Sequence, residues 1–382
     1  MAASSLRTLC LRIFKHKDHE VEDTEGTKVF ADHGEKMFDL NEHSHRRLNP
    51  LTGEWIVVSP HRTKRPWQGQ VDPASRPDLK SYDPECYLCP GNKRAGENVN
   101  PNYDGVFVFD NDFAALMPDV PEGHADTAGL LVFEQERGIC RVVCFSPDHS
   151  LTLSRMNVED IRPVVDEWAK EYLALGARDF ISHVQIFENR GAMMGASNPH
   201  PHCQIWASES IPNEPTKELR CQREYSETRK SCLLCDYLRL ERERGERIVC
   251  ENEHFSTLVP FWAVYPFEVM IIGRRHCGSL AELTDEERNA YVEILRRTTI
   301  RFDNLFLTSF PYSMGPHQTP TDGKDNSFVH WHTHFYPPLL RSATVRKFLV
   351  GFEILGSPQR DITAESAAAR LRELSEVHYL DR

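Results

Sequence analysis

The sequence predicts an α+β fold of two related halves, mainly antiparallel sheet with flanking helices. Three observations support it. The 382 residues suffice for two domains at the ordinary size of ~150 residues each. One order of features occurs twice: a C-x-x-C pair, a histidine, a capped helix, a strand-like run, Met-Gly and a His-x-His pair. The strands also need not alternate with helices as they do in a parallel sheet.

The elements follow in chain order. Residues 1–38 read as a flexible polar extension, residues 39–215 as the first half and 216–382 as the second. In the first half, Cys86 and Cys89 are followed by His149 and then by Asn157, a helix-capping residue. Val158, Ile161, Val165, Trp168 and Tyr172 form an apolar stripe that stops before Gly176. In the second half, Cys232 and Cys235 precede His276, and Thr284 with Glu287 makes a capping box for a helix expected to reach about Arg301. Strand-like runs follow at Ser182–Phe187 and Asn304–Phe310, and then Met194-Gly195 and Met314-Gly315. His200-Pro-His202 and His332-Thr-His334 close the two halves, and a packing helix from Thr363 to about Leu374 ends the chain.

Composition excludes several classes. The 45 basic and 57 acidic residues leave a net charge of −12, which argues against a nucleic-acid or anionic-membrane binder. No apolar run approaches the ~18 residues of a membrane helix. Eleven cysteines, an odd number in a large chain, fit a reducing compartment, and the cytoplasm is the expected location. Arg7 and Arg12 faintly suggest a transit peptide, but the acidic stretch Asp18–Glu25 follows at once.

Two thiolates at C-x-x-C spacing favour a soft, tetrahedral ion that also accepts imidazole. His149 and His200 are the natural partners of Cys86 and Cys89, and four protein ligands leave no open position, so the role is structural. In the second half, His317, His332 and His334 cluster in sequence with His330 nearby. Residues two apart in a strand share a face, so His332 and His334 can both meet one ion. A carboxylate completes that set, or else Cys232, Cys235 and His276 do, and both sets cannot claim His332.

Asn198–Trp206 is the most specific segment. Pro199 and Pro201 force their predecessors into extended geometry, and a rigidly held neutral His202 is a competent nucleophile toward phosphorus. The charge that develops on the phosphate oxygens needs fixed donors. Gln204, Ser197 and the turn Asn189-Arg190-Gly191 supply them. Ser59–Gly69 combines Arg62 and Arg65 with Trp67, suited to a diphosphate and a base. Asn111 and Asp112 follow the apolar run Val106–Phe109 and suit either ribose hydroxyls or a strand-ending turn. Leu340–Glu353 suits a sugar pocket or an edge strand.

Asn49–Trp55, Ser59–Arg62, Lys64–Gly69, Asn198–His202, Phe310–Gly315 and Tyr336–Lys347 together resemble the galactose-1-phosphate uridylyltransferase family, of the histidine-triad superfamily, from about residue 42 to 380. The resemblance implies duplicated histidine-triad-like halves and a ping-pong exchange. UDP-glucose gives UMP to His202, glucose 1-phosphate leaves, and galactose 1-phosphate takes the UMP as UDP-galactose. By the same resemblance Gln204 and Ser197 contact phosphate, and Arg62, Arg65, Asn111, Asp112 and Asn189 serve the nucleotide and diphosphate. Lys347, Phe348, Val350, Glu353 and Gln359 then line the hexose pocket of a homodimer.

The resemblance gives Cys86, Cys89, His149 and His200 a structural zinc, and Glu218, His317, His332 and His334 a second structural ion, iron or zinc. Relatives acting on ADP-sugars use the second C-x-x-C pair for a second zinc, which leaves the role of Cys232 and Cys235 open and makes ADP-sugar nucleotidyl transfer the alternative activity. Ala196 and Pro316 depart from the family's usual Cys and Trp.

Overall fold

A computed structural model describes residues 38–64, 80–339 and 349–382. The first half contains β1 (His45–Leu48), β2 (Trp55–Val58), β3 (Phe107–Asp110), β4 (His124–Thr127), β5 (Leu131–Glu134), β6 (Gly138–Cys144), α1 (Val158–Gly176), β7 (His183–Arg190) and β8 (His202–Ser208). The second contains α2 (Asn213–Arg229), α3 (Leu233–Arg244), β9 (Ile248–Glu251), β10 (Phe255–Leu258), β11 (Val269–Gly273), α4 (Asp285–Phe306), β12 (Tyr312–His317), β13 (His332–Tyr336), α5 (Phe352–Leu355), β14 (Gln359–Arg360) and α6 (Ala364–Arg372).

A nine-stranded sheet in the order β3-β6-β8-β7-β12-β13-β11-β10-β9 organises the molecule, and every pairing in it is antiparallel. The order reads as a mirror about the β7–β12 seam: β8 matches β13, and β6 matches β11. The duplicated plan is therefore built into one continuous sheet. A separate sheet, β1-β2-β14, is antiparallel between β1 and β2 and parallel between β2 and β14.

Period-two alternation gives the large sheet two distinct faces. One carries Val184 and Ile186 of β7, Cys203, Ile205 and Ala207 of β8, Met314 of β12 and Phe335 of β13. These pack on Ile161, Val165 and Trp168 of α1 and on Tyr291, Leu295 and Phe302 of α4. The other face carries the polar side chains of the candidate site.

The helix signals divide unevenly. Thr284 and Glu287 form the reciprocal capping box, and the Thr363 side chain caps α6. Asn157 occupies the N-cap of α1 but makes no capping bond; its Nδ2 donates to Asp160 instead. The expected strand at Asn304–Phe310 is incorrect. α4 continues through Phe306 and ends with Leu307 in the left-handed region, so the strand begins only at Tyr312. Asn304 stays helical because its amide donates to the carbonyls of Ser375 and Val377, anchoring the C-terminal segment.

Candidate active site and metal centres

β7, β8, β12 and β13 present one polar face. The register places Gln204 opposite Phe187, Asn189 opposite Ser313, Gly315 opposite His334 and His317 opposite His332. His202 and Gln204 on β8 and His317, His332 and His334 on β12 and β13 thus share a face, with β7 between the two groups.

His202 begins β8, directly after the Pro199 and Pro201 segment. Its Nδ1 lies 2.7 Å from the His200 carbonyl oxygen, an acceptor, so Nδ1–H donates there. Nε2 is left as the lone-pair nitrogen. Burial lowers its pKa, with the backbone bond to His200 opposing, so the neutral form predominates at pH 7. Gln204 is fixed by a residue that sequence reasoning passed over. The Trp206 indole N–H donates to Gln204 Oε1 at 3.1 Å, which leaves the amide N–H groups pointing elsewhere. Ser313 was missed in the same way; its hydroxyl donates to Asn189 Oδ1 at 2.6 Å. The i+2 spacing behind Gln204 was a usable signal for Trp206, whereas only strand pairing reveals Ser313.

Other candidates fall differently. Ser197 is exposed just after the Gly195 turn. Arg190, expected to offer a donor, turns into the core and pairs with Asp303 at 2.8 Å. Arg62 sits 3.4 Å from Asp361, which also accepts from Gln359, so these two predicted residues adjoin. Asn111 accepts from the Phe113 N–H within the strand-ending turn, and Asp112 pairs with Arg94 and Asn98 of a neighbouring segment. Glu353 pairs with Arg360 at 2.9 Å, and Val350 is exposed. Arg65, Lys347 and Phe348 lie outside the described residues.

Three clusters have the donor types of metal centres: Cys86, Cys89, His149 and His200; Cys232, Cys235, His276 and His330; and Glu218, His317, His332 and His334. In the first, Cys89 Sγ lies 3.5 Å from Nδ1 of both His149 and His200. Tetrahedral zinc with its usual Zn–S and Zn–N bonds separates sulfur from nitrogen by about 3.6 Å, so the donors fit. The His200 Nε2–H donates to the Ser146 carbonyl, which leaves Nδ1 free to ligate.

The Glu218 cluster is compact, with Glu218, His332 and His334 buried and His317 half-buried. Glu218 Oε2 lies 2.8 Å from His317 Nδ1 and 3.3 Å from His332 Nε2, and Oε1 lies 3.3 Å from His334 Nε2. His332 and His334 Nε2 stand 2.9 Å apart. Burial opposes the Glu218 charge, yet the three imidazoles hold its pKa well below the usual range. One carboxylate and three imidazoles suit a divalent ion of the iron or zinc kind.

The expected match of His200-Pro-His202 with His332-Thr-His334 is out of register by two. Their true counterpart is His330-Trp-His332: His332 Nδ1 donates to the His330 carbonyl at 2.8 Å, as His202 does to His200. The apparent competition for His332 disappears, because His330 serves the cysteines and leaves His332 to Glu218.

Comparison with known proteins places this arrangement. Residues 36–212 match the galactose-1-phosphate uridyl transferase N-terminal domain, and residues 218–382 match the C-terminal domain. A galactose-1-phosphate uridylyltransferase of Haemophilus influenzae is 52% identical over 346 residues, covering 91% of this chain and 99% of that protein. One from Rattus norvegicus is 50% identical over 352 residues, covering 91% and 92%. Among solved structures, a uridylyltransferase superposes with a TM-score of 0.68 at 28% identity, covering 86% of this chain and 97% of its own. An ADP-glucose phosphorylase from Arabidopsis thaliana with bound ADP-glucose gives 0.69 at 25% identity, covering 87% and 100%. With both of its halves matched and half of its residues shared with curated members, the chain belongs to the galactose-1-phosphate uridylyltransferase family.

Proposed function

We propose that the chain exchanges UMP between UDP-glucose and galactose 1-phosphate through a covalent uridylyl-histidine on His202. The His202 Nδ1–H bond to the His200 carbonyl carries this reading, since it aims a neutral Nε2 lone pair outward. Nε2 attacks the α-phosphorus of UDP-glucose, and the bond to the bridging oxygen breaks. Its electron pair leaves with glucose 1-phosphate. A phosphate oxygen of galactose 1-phosphate then displaces Nε2 and gives UDP-galactose. The Nδ1 proton stays on the ring throughout, so the imidazolium charge made by the first step is neutralised when the second step releases Nε2.

Gln204 and Ser197 hold nonbridging and outer phosphate oxygens. Arg62, Arg65, Asn111, Asp112 and Asn189 serve the nucleotide and diphosphate, and Lys347, Phe348, Val350, Glu353 and Gln359 the hexose. Cys86, Cys89, His149 and His200 hold zinc, and Glu218, His317, His332 and His334 hold iron or zinc; both ions stiffen the sheet face. The two halves, 39–215 and 216–382, are the functional units, supported by the two matched domains. A homodimer is supported by the exposed apolar row Val350, Phe352, Ile354 and Leu355 next to the hexose segment. A cytoplasmic location is supported by the free thiols among the described cysteines; no described helix is long and apolar enough to cross a membrane.

The test is to incubate the protein with UDP-glucose alone and weigh it. A gain of one UMP, absent in His202→Ala, is expected, and no adduct under turnover conditions would overturn the covalent route. The likeness to an ADP-glucose phosphorylase keeps ADP-sugar transfer as the second reading. A burst of glucose 1-phosphate from UDP-glucose but not from ADP-glucose decides against it.

A further inference from the structure

Cys232, Cys235, His276 and His330 take no part in the reaction described above, yet they repeat the donor set of the first centre, two thiols and two imidazole Nδ1 atoms. Cys235 Sγ lies 3.7 Å from His276 Nδ1 and 3.3 Å from His330 Nδ1, and Cys232 Sγ lies 3.5 Å from His330 Nδ1. These bracket the ~3.6 Å sulfur–nitrogen edge of a tetrahedral thiolate–imidazole ion. The His276 ring is already oriented for ligation. His276 Nε2 donates to the Ser327 carbonyl at 3.0 Å, which leaves Nδ1 facing the sulfurs. The His330 backbone is pinned on both sides: its N–H donates to Gln222 Oε1, and its carbonyl accepts from His332 Nδ1.

We infer that these four residues form a third metal site for a zinc-like divalent ion, occupied together with the Glu218 centre, and that it orients His332 as a ligand of that centre. The coupling runs through one residue step. An ion on His330 fixes the carbonyl that receives the His332 Nδ1–H, which in turn points Nε2 at Glu218. Such outer hydrogen bonds change metal affinity by roughly 10–100-fold when lost. The three centres differ in access. Every ligand of the Cys86 site is buried, whereas His276 is exposed and Cys232 and Cys235 are only partly covered, so a chelator reaches the third ion before the first.

Only the coupling rests on metal binding at Glu218; the third site stands without it. The test uses the full chain loaded with Co(II), because thiolate-to-cobalt absorption in the near ultraviolet reports the cysteine centres and is silent on Glu218. Cys232→Ser with Cys235→Ser is expected to halve that band and remove one ion per chain. A band of undiminished intensity, or a Cys232–Cys235 disulfide in the mass of the native protein, would overturn the site. His276→Ala, at an exposed position, guards against misfolding and is expected to shift the visible cobalt bands with circular dichroism unchanged; unshifted bands count against the site.

For the coupling, chelator competition on the double variant is expected to show the Glu218 centre weakened about 10-fold or more. Equal affinity there refutes the coupling alone. Absence of any Glu218 ion in the unmodified protein refutes both the coupling and that part of the proposed function, while the thiolate band still decides the third site.

Discussion

At the scale of single residues, the site depends on side chains that hold other side chains. Gln204 was visible from its i+2 spacing to His202, but an amide can turn either way and spacing alone does not choose. The Trp206 N–H chooses by occupying Oε1. Trp206→Phe keeps an aromatic ring beside Phe187 and removes that donor along with part of the indole. The neutral hydrogen bond it deletes is worth ~1 kcal/mol, or roughly fivefold in rate. Single-turnover uridylylation by UDP-glucose is expected to slow by that factor with metal content and melting temperature unchanged. A variant as fast as the parent would show that Gln204 needs no such support.

At the scale of elements, the repeat was legible because helices and ligand pairs have strong local signals, and it was misread where the same letters answer different needs. The second Met-Gly is not a copy of the first. Gly195 closes a turn in the left-handed region at φ 78°, where glycine is favoured. Gly315 lies inside β12, where an added Cβ would come within 2.4 Å of the Ile186 carbonyl oxygen across the seam. Nothing local separates these two causes; only the pairing of β7 with β12 does. The two-residue slip in the His-x-His match has the same origin, since three histidines at alternate positions, His330 before β13 and His332 and His334 within it, offer two equally good alignments. The roles of Arg190 and Asn304 were likewise fixed by partners more than 70 residues away. Gly315→Ala therefore forces the halves apart at their junction, at the ~1–3 kcal/mol typical of overpacking. A lowered urea midpoint is expected, together with weaker metal retention at Glu218, because His334 sits opposite Gly315; Gly195→Ala leaves the ion in place. Equal metal retention in the two variants would remove the seam from the explanation.

At the scale of the molecule, one buried hub joins the halves and the C-terminal segment. Asp303 on α4 accepts from Arg190 of β7 at 2.8 Å, from Ser154 at 2.5 Å and from the Phe310 N–H at 2.8 Å, and His378 Nε2 lies 3.1 Å away. Arg190 and Asp303 are almost wholly shielded from water. Burial raises the cost of the Asp303 charge, and Arg190, His378 and Ser154 more than offset it, so its pKa is lowered. Removing one partner of such a pair strands the other charge and costs about 3–5 kcal/mol, whereas an exposed pair such as Lys170–Glu167 contributes under ~1 kcal/mol. Asp303→Ala is thus expected to lower the urea midpoint far more than Glu167→Ala. Because the hub spans both halves, the loss should appear as one earlier transition, with Trp168 of the first half and Trp331 of the second reporting together. Selective loss of the Trp331 signal at unchanged Trp168 would mean that the continuous sheet does not make the two halves one cooperative unit.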